Sequence, residues 1–186
     1  MTKIKKQILI NKSLKRVKKV TEIFLETVYF AMEAAGSLNC GKYSIYSSLR
    51  KSSFFDWSEG RLAKKMREME KIGYIIHNGS GDSIEFTNKA KIRIIDTLSS
   101  RHEVDGKYRF LSFDIPEQKR AYRDGFRRSI KRLGFKQVQK SLWVCNKNVG
   151  DLIEILLKEY HVNEYVTYII SERSDIDKHV KKMFDD

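Results

Sequence analysis

Two kinds of side chain in this sequence could do chemistry: one carboxylate at the end of a predicted strand, and many lysines and arginines on predicted helices. The carboxylate is Asp114, which follows the alternating segment 108–113 and precedes Pro116, the single proline of the chain. Two such carboxylates brought together could bind Mg²⁺, which prefers oxygen ligands and could activate water or polarise a phosphodiester. An Asp in this place also suits a structural role, because it can orient the turn into the next helix. The sequence leaves both roles open and favours the structural one.

The lysines and arginines indicate recognition of a polyanion. The chain of 186 residues contains 37 Lys and Arg against 24 Asp and Glu, which gives a formal net charge of +13. Both halves are basic, and residues 1–104 carry the larger share of the surplus. Such a charge attracts nucleic acid first and an anionic membrane surface second. The basic N-terminal segment lacks the Trp or Phe anchors of membrane-surface helices, so we expect no membrane partner.

Several protein classes are not supported. No stretch approaches the roughly 18 apolar residues that span a bilayer, and the N-terminus lacks the apolar core of a signal peptide, so we expect a cytoplasmic protein. Cys40 and Cys145 are too few and too far apart for a disulfide framework or a metal site, and we expect reduced thiols. The four histidines are scattered, and there is no glycine-rich phosphate loop. We therefore expect no cofactor for nucleic-acid binding, and Mg²⁺ only if Asp114 supports a nuclease.

Hydrophobic periodicity in residues 1–104 predicts helices followed by a hairpin. Apolar residues recur at helical spacing from Leu14 to Gly36, and a capping-box pair, Asp56 and Glu59, starts a later helix that ends at Gly73. The predicted elements, in order, are helices 14–36, 44–50 and 58–72, strands 74–76 and 84–86, and helix 88–98. Three helices and a β-hairpin are the order of a winged helix-turn-helix, whose third helix enters the major groove of DNA.

The third helix and the N-terminal arm carry the candidate DNA contacts. On the helix they are Arg61, Lys64, Lys65, Arg67 and Lys71, and in the arm they are Lys15, Arg16, Lys18 and Lys19. Lys and Arg on a helix face often do no more than keep that face solvated. The coincidence of a basic helix, a hairpin and a basic arm nevertheless favours DNA binding. The run 62–74, with the hairpin and residues 87–90, is also similar to bacterial winged-helix regulators, and we predict a winged-helix DNA-binding domain in residues 1–104.

Residues 105–186 show a different pattern, which predicts a second domain. Its elements are a strand at 108–113, a helix at 117–133, strands at 135–139 and 141–145, a helix at 149–160, and a strand at 165–170. This βαββαβ order is that of a ferredoxin-like fold, so the predicted class of the whole chain is α+β. The first helix of this domain should bury Tyr122, Phe126, Ile130 and Leu133. The residues after Ser171 are predicted to form a short helix.

The helix after Pro116 also carries a basic stripe beside its apolar face. The stripe consists of Arg120, Arg123, Arg127 and Lys131. It could follow a DNA backbone or form salt bridges across a dimer, and the sequence favours neither. We retain Arg120, Arg123 and Arg127 as candidate DNA contacts.

Two segments of the second domain carry a family resemblance. Residues 110–120, FLSFDIPEQKR, and residues 133–144, LGFKQVQKSLWV, with Arg123 and residues 126–128 between them, resemble the Cas2 nucleases of CRISPR adaptation and the central domain of PaaX-type transcriptional regulators. A winged helix in front of such a domain is the PaaX arrangement. The resemblance implies a homodimer formed through this domain, with Asp114 facing its counterpart across the two-fold axis. It makes Asp114 the catalytic and metal-binding candidate.

The leading hypothesis is a dimeric transcriptional regulator of the PaaX type that binds double-stranded DNA sequence-specifically, with a repressor as the expected type. The alternative is a Cas2-like, Mg²⁺-dependent nuclease, or a CRISPR adaptation subunit with a fused DNA-binding module. The sequence identifies no small-molecule effector. It leaves enzymatic activity undecided and favours a protein that is not an enzyme.

Overall fold

The structure is a computed structural model that describes residues 20–36, 39–51, 57–77, 83–173 and 175–185. The chain divides into two compact units, Met1–Ala90 and Lys91–Asp186, and each has its own internal packing. The candidate DNA contacts of the arm, Lys15, Arg16, Lys18 and Lys19, lie outside the described residues. In the described part of the chain, no helix is both long and apolar enough to cross a membrane.

The first unit combines helices with a three-stranded sheet. Its elements are α1 (Val20–Ala34), β1 (Asn39–Gly41), α2 (Lys42–Lys51), α3 (Glu59–Ile72), β2 (Ile75–His77) and β3 (Ser83–Phe86), followed by α4 (Asn88–Arg93), which runs across the division between the units. The strands pair antiparallel in the order β1-β3-β2, so β3 is central. The sequence analysis missed β1, because three residues without alternating polarity give no strand signal.

The core of the first unit forms from apolar stripes at helical spacing. Four side chains of α1 are buried, namely Phe24, Leu25, Val28 and Met32. Three side chains of α3 are buried as well, namely Leu62, Met66 and Met69. Because residues three and four apart lie on one face of a helix, each stripe buries one side of its helix. The opposite side of α3 is exposed, whereas most other residues of α1 are partly buried.

The second unit contains a four-stranded antiparallel sheet with helices on both of its faces. Its elements are α5 (Ile95–Ser99), β4 (Val104–Phe113), a 3₁₀ turn (Glu117–Lys119), α6 (Arg120–Arg132), β5 (Lys136–Gln137), β6 (Leu142–Lys147), α7 (Gly150–Glu159), a second 3₁₀ turn (Asn163–Tyr165), β7 (Val166–Ser171) and α8 (Asp177–Phe184). The strand order is β5-β6-β4-β7. From β4 to β7 the order of strands and helices is the predicted βαββαβ.

Alternation along β4 gives the sheet two apolar faces. Phe113 points toward α6, where its ring meets Phe126 edge-on at a centroid distance of 5.4 Å. Phe110 and Val144 face the other way, where they form a buried cluster with Val180 of α8. The predicted C-terminal helix therefore exists and covers the second face of the sheet.

The predicted helix 88–98 is two helices, because a side chain of α6 ends the first one. The guanidinium of Arg132 donates to two carbonyl oxygens at the end of α4, both at 3.0 Å, and pairs with Asp96 of α5 at 2.7 Å. The hydroxyl of Ser99 donates to the carbonyl of Leu133 at 3.0 Å. These contacts attach α5 to the second unit. The division of the chain therefore precedes the predicted boundary between residues 104 and 105, and the domain assignment itself stays a prediction.

The prediction of the core is wrong for one residue of α6. Phe126, Ile130 and Leu133 are fully buried, but Tyr122 is 47% exposed. Tyr122 lies in the first turn of the helix, where its ring meets the His161 ring edge-on at a centroid distance of 6.3 Å. Helical periodicity correctly placed Tyr122 on the apolar side of α6. It could not show that the buried contacts of this side end before the first turn of the helix.

A glycine lets α6 and α7 approach closely. A Cβ atom added to Gly125 would lie 2.5 Å from the Tyr160 ring, which is closer than real Cβ contacts. Beside this contact, the hydroxyl groups of Ser129 and Tyr160 form a hydrogen bond of 3.0 Å. The absence of a side chain at position 125 therefore sets the position of this ring.

We expect Gly125→Ala to destabilise the second unit by about 1–3 kcal/mol, the usual cost of overpacking a tight contact. Urea unfolding followed by circular dichroism measures the loss. Gly150→Ala is the matched control, because its added Cβ would lie at an ordinary 3.5 Å from the Tyr168 hydroxyl. Equal stability of the two variants would contradict the role assigned to Gly125.

Candidate nucleic-acid interface

The outer face of α3 is a basic surface on a well-terminated helix. Gly73 ends the helix in a left-handed conformation, with φ at 80°, which glycine adopts without strain. Lys89 donates to the carbonyl of Ile72 at 2.6 Å and so satisfies one of the last helical carbonyls. Lys64, Arg67 and Lys71 are all exposed, opposite the buried stripe of Leu62, Met66 and Met69.

Arg61 extends this basic face and is positioned by an aromatic ring. Its guanidinium lies 4.5 Å above the centroid of the Trp57 ring. Trp57 in turn stacks on the core residue Phe24 at 6.0 Å. Stacking of this kind orients an arginine while its N–H groups stay available at the rim.

Lys65 differs from the other four candidates on α3. Its side chain is only 12% exposed, and it forms an ion pair of 2.8 Å with Glu68. Its ammonium also donates to the Thr21 hydroxyl of α1 at 3.0 Å. Lys65 therefore joins α3 to α1, while Arg61, Lys64, Arg67 and Lys71 share the exposed side.

In the second unit the predicted basic stripe divides into paired and unpaired members. Arg123 donates to the carbonyl of Ile115 at 3.2 Å and pairs with Glu117 at 2.9 Å. Arg120 is 70% exposed and lies 3.5 Å from Glu117. Arg127 lies 5.6 Å above the Phe113 ring, and no acidic partner for it occurs among the described residues.

Asp114 lies at the end of the sheet, on the wall of a cleft of about 840 Å³. The residue is exposed, and its backbone N–H donates to the carbonyl of Tyr165 at 3.0 Å. Arg123 and Arg127 also line the cleft, so three of the predicted site residues lie around it. Other members were not predicted, including Lys140, Ser141 and Glu164.

The donor set around Asp114 does not make a metal site within one chain. Among the described residues, no group of three or more His, Cys, Asp or Glu side chains could hold a metal ion. A Mg²⁺ site would need the carboxylate of a second copy, as the Cas2 resemblance implies. We therefore derive no reaction step through a metal.

The sequence analysis missed a buried arginine in the central strand. Arg109 of β4 is 2% exposed and forms a bidentate ion pair with Asp105, four residues earlier. The hydrogen bonds from Arg109 hold the pKa of Asp105 well below its usual range. Arg109 also donates to the carbonyl of Lys107 at 3.0 Å. The sequence could have indicated this ion pair through the charge of Arg109, because an arginine between Tyr108 and Phe110 in an apolar strand needs a partner.

Burial also affects the pKa of a thiol on the neighbouring strand β6. Cys145 is fully buried and unpaired, and burial raises the pKa of its thiol. A protonated, enclosed thiol is a poor nucleophile.

Comparison with known families finds a match that lies within the second unit and ends shortly before its C-terminus. Residues 101–183 match the family model described as the PaaX protein central Cas2-like domain. This segment is similar to that domain, and we call residues 101–183 the PaaX-type domain after this similarity. The resemblance stated from residues 110–144 is thereby confirmed, and it extends to α8. No curated protein and no solved structure matches the chain.

The ion pair of the PaaX-type domain predicts a pH dependence. Because the pKa of Asp105 is lowered on folding, its contribution to stability is fully present above the unfolded pKa of about 4 and is lost as the pH falls below it. Asp105→Asn should therefore lower stability at pH 7, and its difference from the wild-type protein should shrink on acidification. A Trp57→Phe background leaves Trp143 as the only tryptophan, so its fluorescence reports unfolding of this domain.

Asp124→Asn is the matched control for this comparison. Asp124 is a solvent-accessible carboxylate on α6, 3.9 Å from Arg120. Ion pairs of this exposed type contribute little to stability. If both variants lost stability equally at neutral pH, the ion pair of Asp105 with the buried Arg109 would not have the stabilising role described here.

Proposed function

We propose that the protein is a dimeric transcriptional regulator of the PaaX type that binds double-stranded DNA sequence-specifically and acts as a repressor. The observation that carries the proposal is the exposed basic face of α3, which precedes a β-hairpin in the first unit. The PaaX-type domain in residues 101–183 supports it independently.

The order of elements in the first unit favours a winged helix. The chain runs α1, β1, α2, α3, β2, β3, and the three strands form a sheet with β3 at its centre. In winged helix-turn-helix proteins the recognition helix comes directly before the hairpin that forms the wing. By this correspondence α3 is the recognition helix, and β2 and β3 form the base of the wing.

The positions of the basic residues along α3 suggest which of them contact base edges and which contact phosphates. Recognition helices contact base edges mainly through their N-terminal residues. Arg61 and Lys64 lie in the first half of the helix and are suited to guanine edges, while Arg67 and Lys71 lie nearer its end and are suited to phosphates. From Lys64 to Lys71 the rise is about 10 Å, comparable with the width of the major groove.

The sheet of the PaaX-type domain offers an edge for dimerisation. β7 is an edge strand, and two of its large apolar residues, Ile169 and Ile170, are 47% and 56% exposed. An exposed apolar edge strand favours pairing with another chain. A two-fold dimer would present two copies of α3 to the half-sites of a palindrome.

Alanine substitutions on α3 test the DNA-binding proposal. Arg67→Ala and Lys71→Ala should each lower the slope of log affinity against log salt by about one, because each loses one phosphate contact. Arg61→Ala should instead cost about 1–3 kcal/mol on the preferred site and weaken its sequence preference. Fluorescence anisotropy on duplexes selected from a random pool measures both effects.

Lys158→Ala is the matched control for these substitutions. Lys158 lies on α7 and is 68% exposed, so its loss removes one positive charge away from α3. Affinity without salt dependence would contradict the proposal. Mg²⁺-dependent cleavage of the duplex that Asp114→Ala abolishes would replace it with the Cas2-like nuclease.

Charges on β7 test the dimer. Ile169→Lys combined with Ile170→Lys should convert the dimer to a monomer, because two like charges would face each other across the edge. Size-exclusion chromatography with light scattering measures the mass. Val104→Lys is the control, since Val104 is 60% exposed but lies on β4. A wild-type monomer at micromolar concentration would contradict the proposal.

A further inference from the structure

The cleft at the end of the PaaX-type domain contains side chains that the DNA-binding proposal does not use. It has a volume of about 840 Å³, which falls in the range of small-molecule sites. It receives unpaired groups of both charge signs. We propose that this cleft binds a small phosphomonoester that also carries an amino group.

Some residues of the cleft lining supply donors. Arg127 and Lys140 line the cleft, and neither forms an ion pair with any described residue. The Nε–H of Arg127 is buried and finds no acceptor in the described part of the chain. That nitrogen is closed to solvent, so an anion in the cleft would bind the terminal N–H groups of Arg127 and the ammonium of Lys140, which have no acidic partner among the described residues.

The number of donors favours a phosphomonoester over a carboxylate. Arg127, Lys140 and Ser141, whose side chains all carry hydrogen-bond donors, line the cleft together. A phosphomonoester presents three terminal oxygens, whereas a carboxylate presents two. Arginine and phosphate also match in geometry, which makes their hydrogen bonds short and strong.

Other residues of the lining supply acceptors. Asp114 and Glu164 line the cleft, and neither side chain pairs with any described residue. Glu117 is already neutralised by Arg123, at 2.9 Å. Two free carboxylates would repel a ligand that carries only negative charge, whereas an ammonium group would pair with them. The ligand class is therefore an amine linked to a phosphate.

Titration calorimetry on the full chain tests this inference with phosphoethanolamine as the probe. Binding should saturate, and Arg127→Gln and Asp114→Asn should each weaken it tenfold or more, because each removes a hydrogen bond to a charged group. Arg128→Gln should bind like the wild-type protein, since Arg128 is the exposed neighbour on α6 and does not line the cleft. Thermal unfolding of each variant verifies that it folds.

Three comparison ligands separate the parts of the proposal. Inorganic phosphate lacks the amine, ethanolamine lacks the phosphate, and β-alanine replaces the phosphate with a carboxylate. Each should bind at least tenfold more weakly than phosphoethanolamine. Equal binding of any one of them, or equal binding by Arg127→Gln and Arg128→Gln, would overturn the proposal.

These measurements use no DNA, so the ligand site and the DNA-binding proposal can fail separately. If duplex DNA displaced phosphoethanolamine from the wild-type protein, and this displacement did not depend on α3, the cleft would be a binding site for DNA phosphates. That result would overturn the small-ligand assignment. Unchanged phosphoethanolamine binding by Arg67→Ala would support the separation of the two sites.

Discussion

The PaaX-type domain depends on its central strand, β4, which must form backbone hydrogen bonds with neighbours on both sides. β6 and β7 flank it antiparallel, and helices cover both faces of the sheet. A strand in this position can bury charge only if the charge is paired. Arg109 meets this requirement through Asp105 in the same strand, so the least apolar residue of the core is neutralised locally. The strand ends at Phe113, and Asp114 emerges from this constrained strand at the rim of the cleft.

In the first unit the basic residues of α3 have two different tasks, although they look alike in sequence. Lys65 is bonded to Thr21 and Glu68 and holds two helices together. Lys64, Arg67 and Lys71 are exposed, and Arg61 lies on Trp57. Only side chains without internal partners can give their full hydrogen-bonding capacity to a ligand. The proposed DNA interface is therefore smaller than the count of lysines and arginines suggests.

Local sequence patterns predicted most helices and strands. The features that depend on contacts between distant parts of the chain could not be predicted. The stripes of Phe24 to Met32 and of Leu62 to Met69 follow helical periodicity, and the βαββαβ order follows from alternating segments. β1 is recognisable only through its pairing with β3, more than forty positions away in the chain. The break between α4 and α5 depends on Arg132 of a later helix. The cleft joins the ends of several elements, so sequence spacing could suggest Asp114, Arg123 and Arg127 but not that they share it with Lys140 and Glu164.

The close approach at Gly125 has a consequence for molecular recognition. The Tyr160 ring fills the space where a side chain would stand, and its hydroxyl bonds to Ser129 on the same helix. α6 is thus fixed against the end of α7 by a rigid aromatic contact. Arg123 and Arg127 project from this fixed helix, so their backbone positions are set before any ligand arrives. A preorganised wall loses little conformational entropy on binding, and more of the electrostatic attraction is then available as affinity.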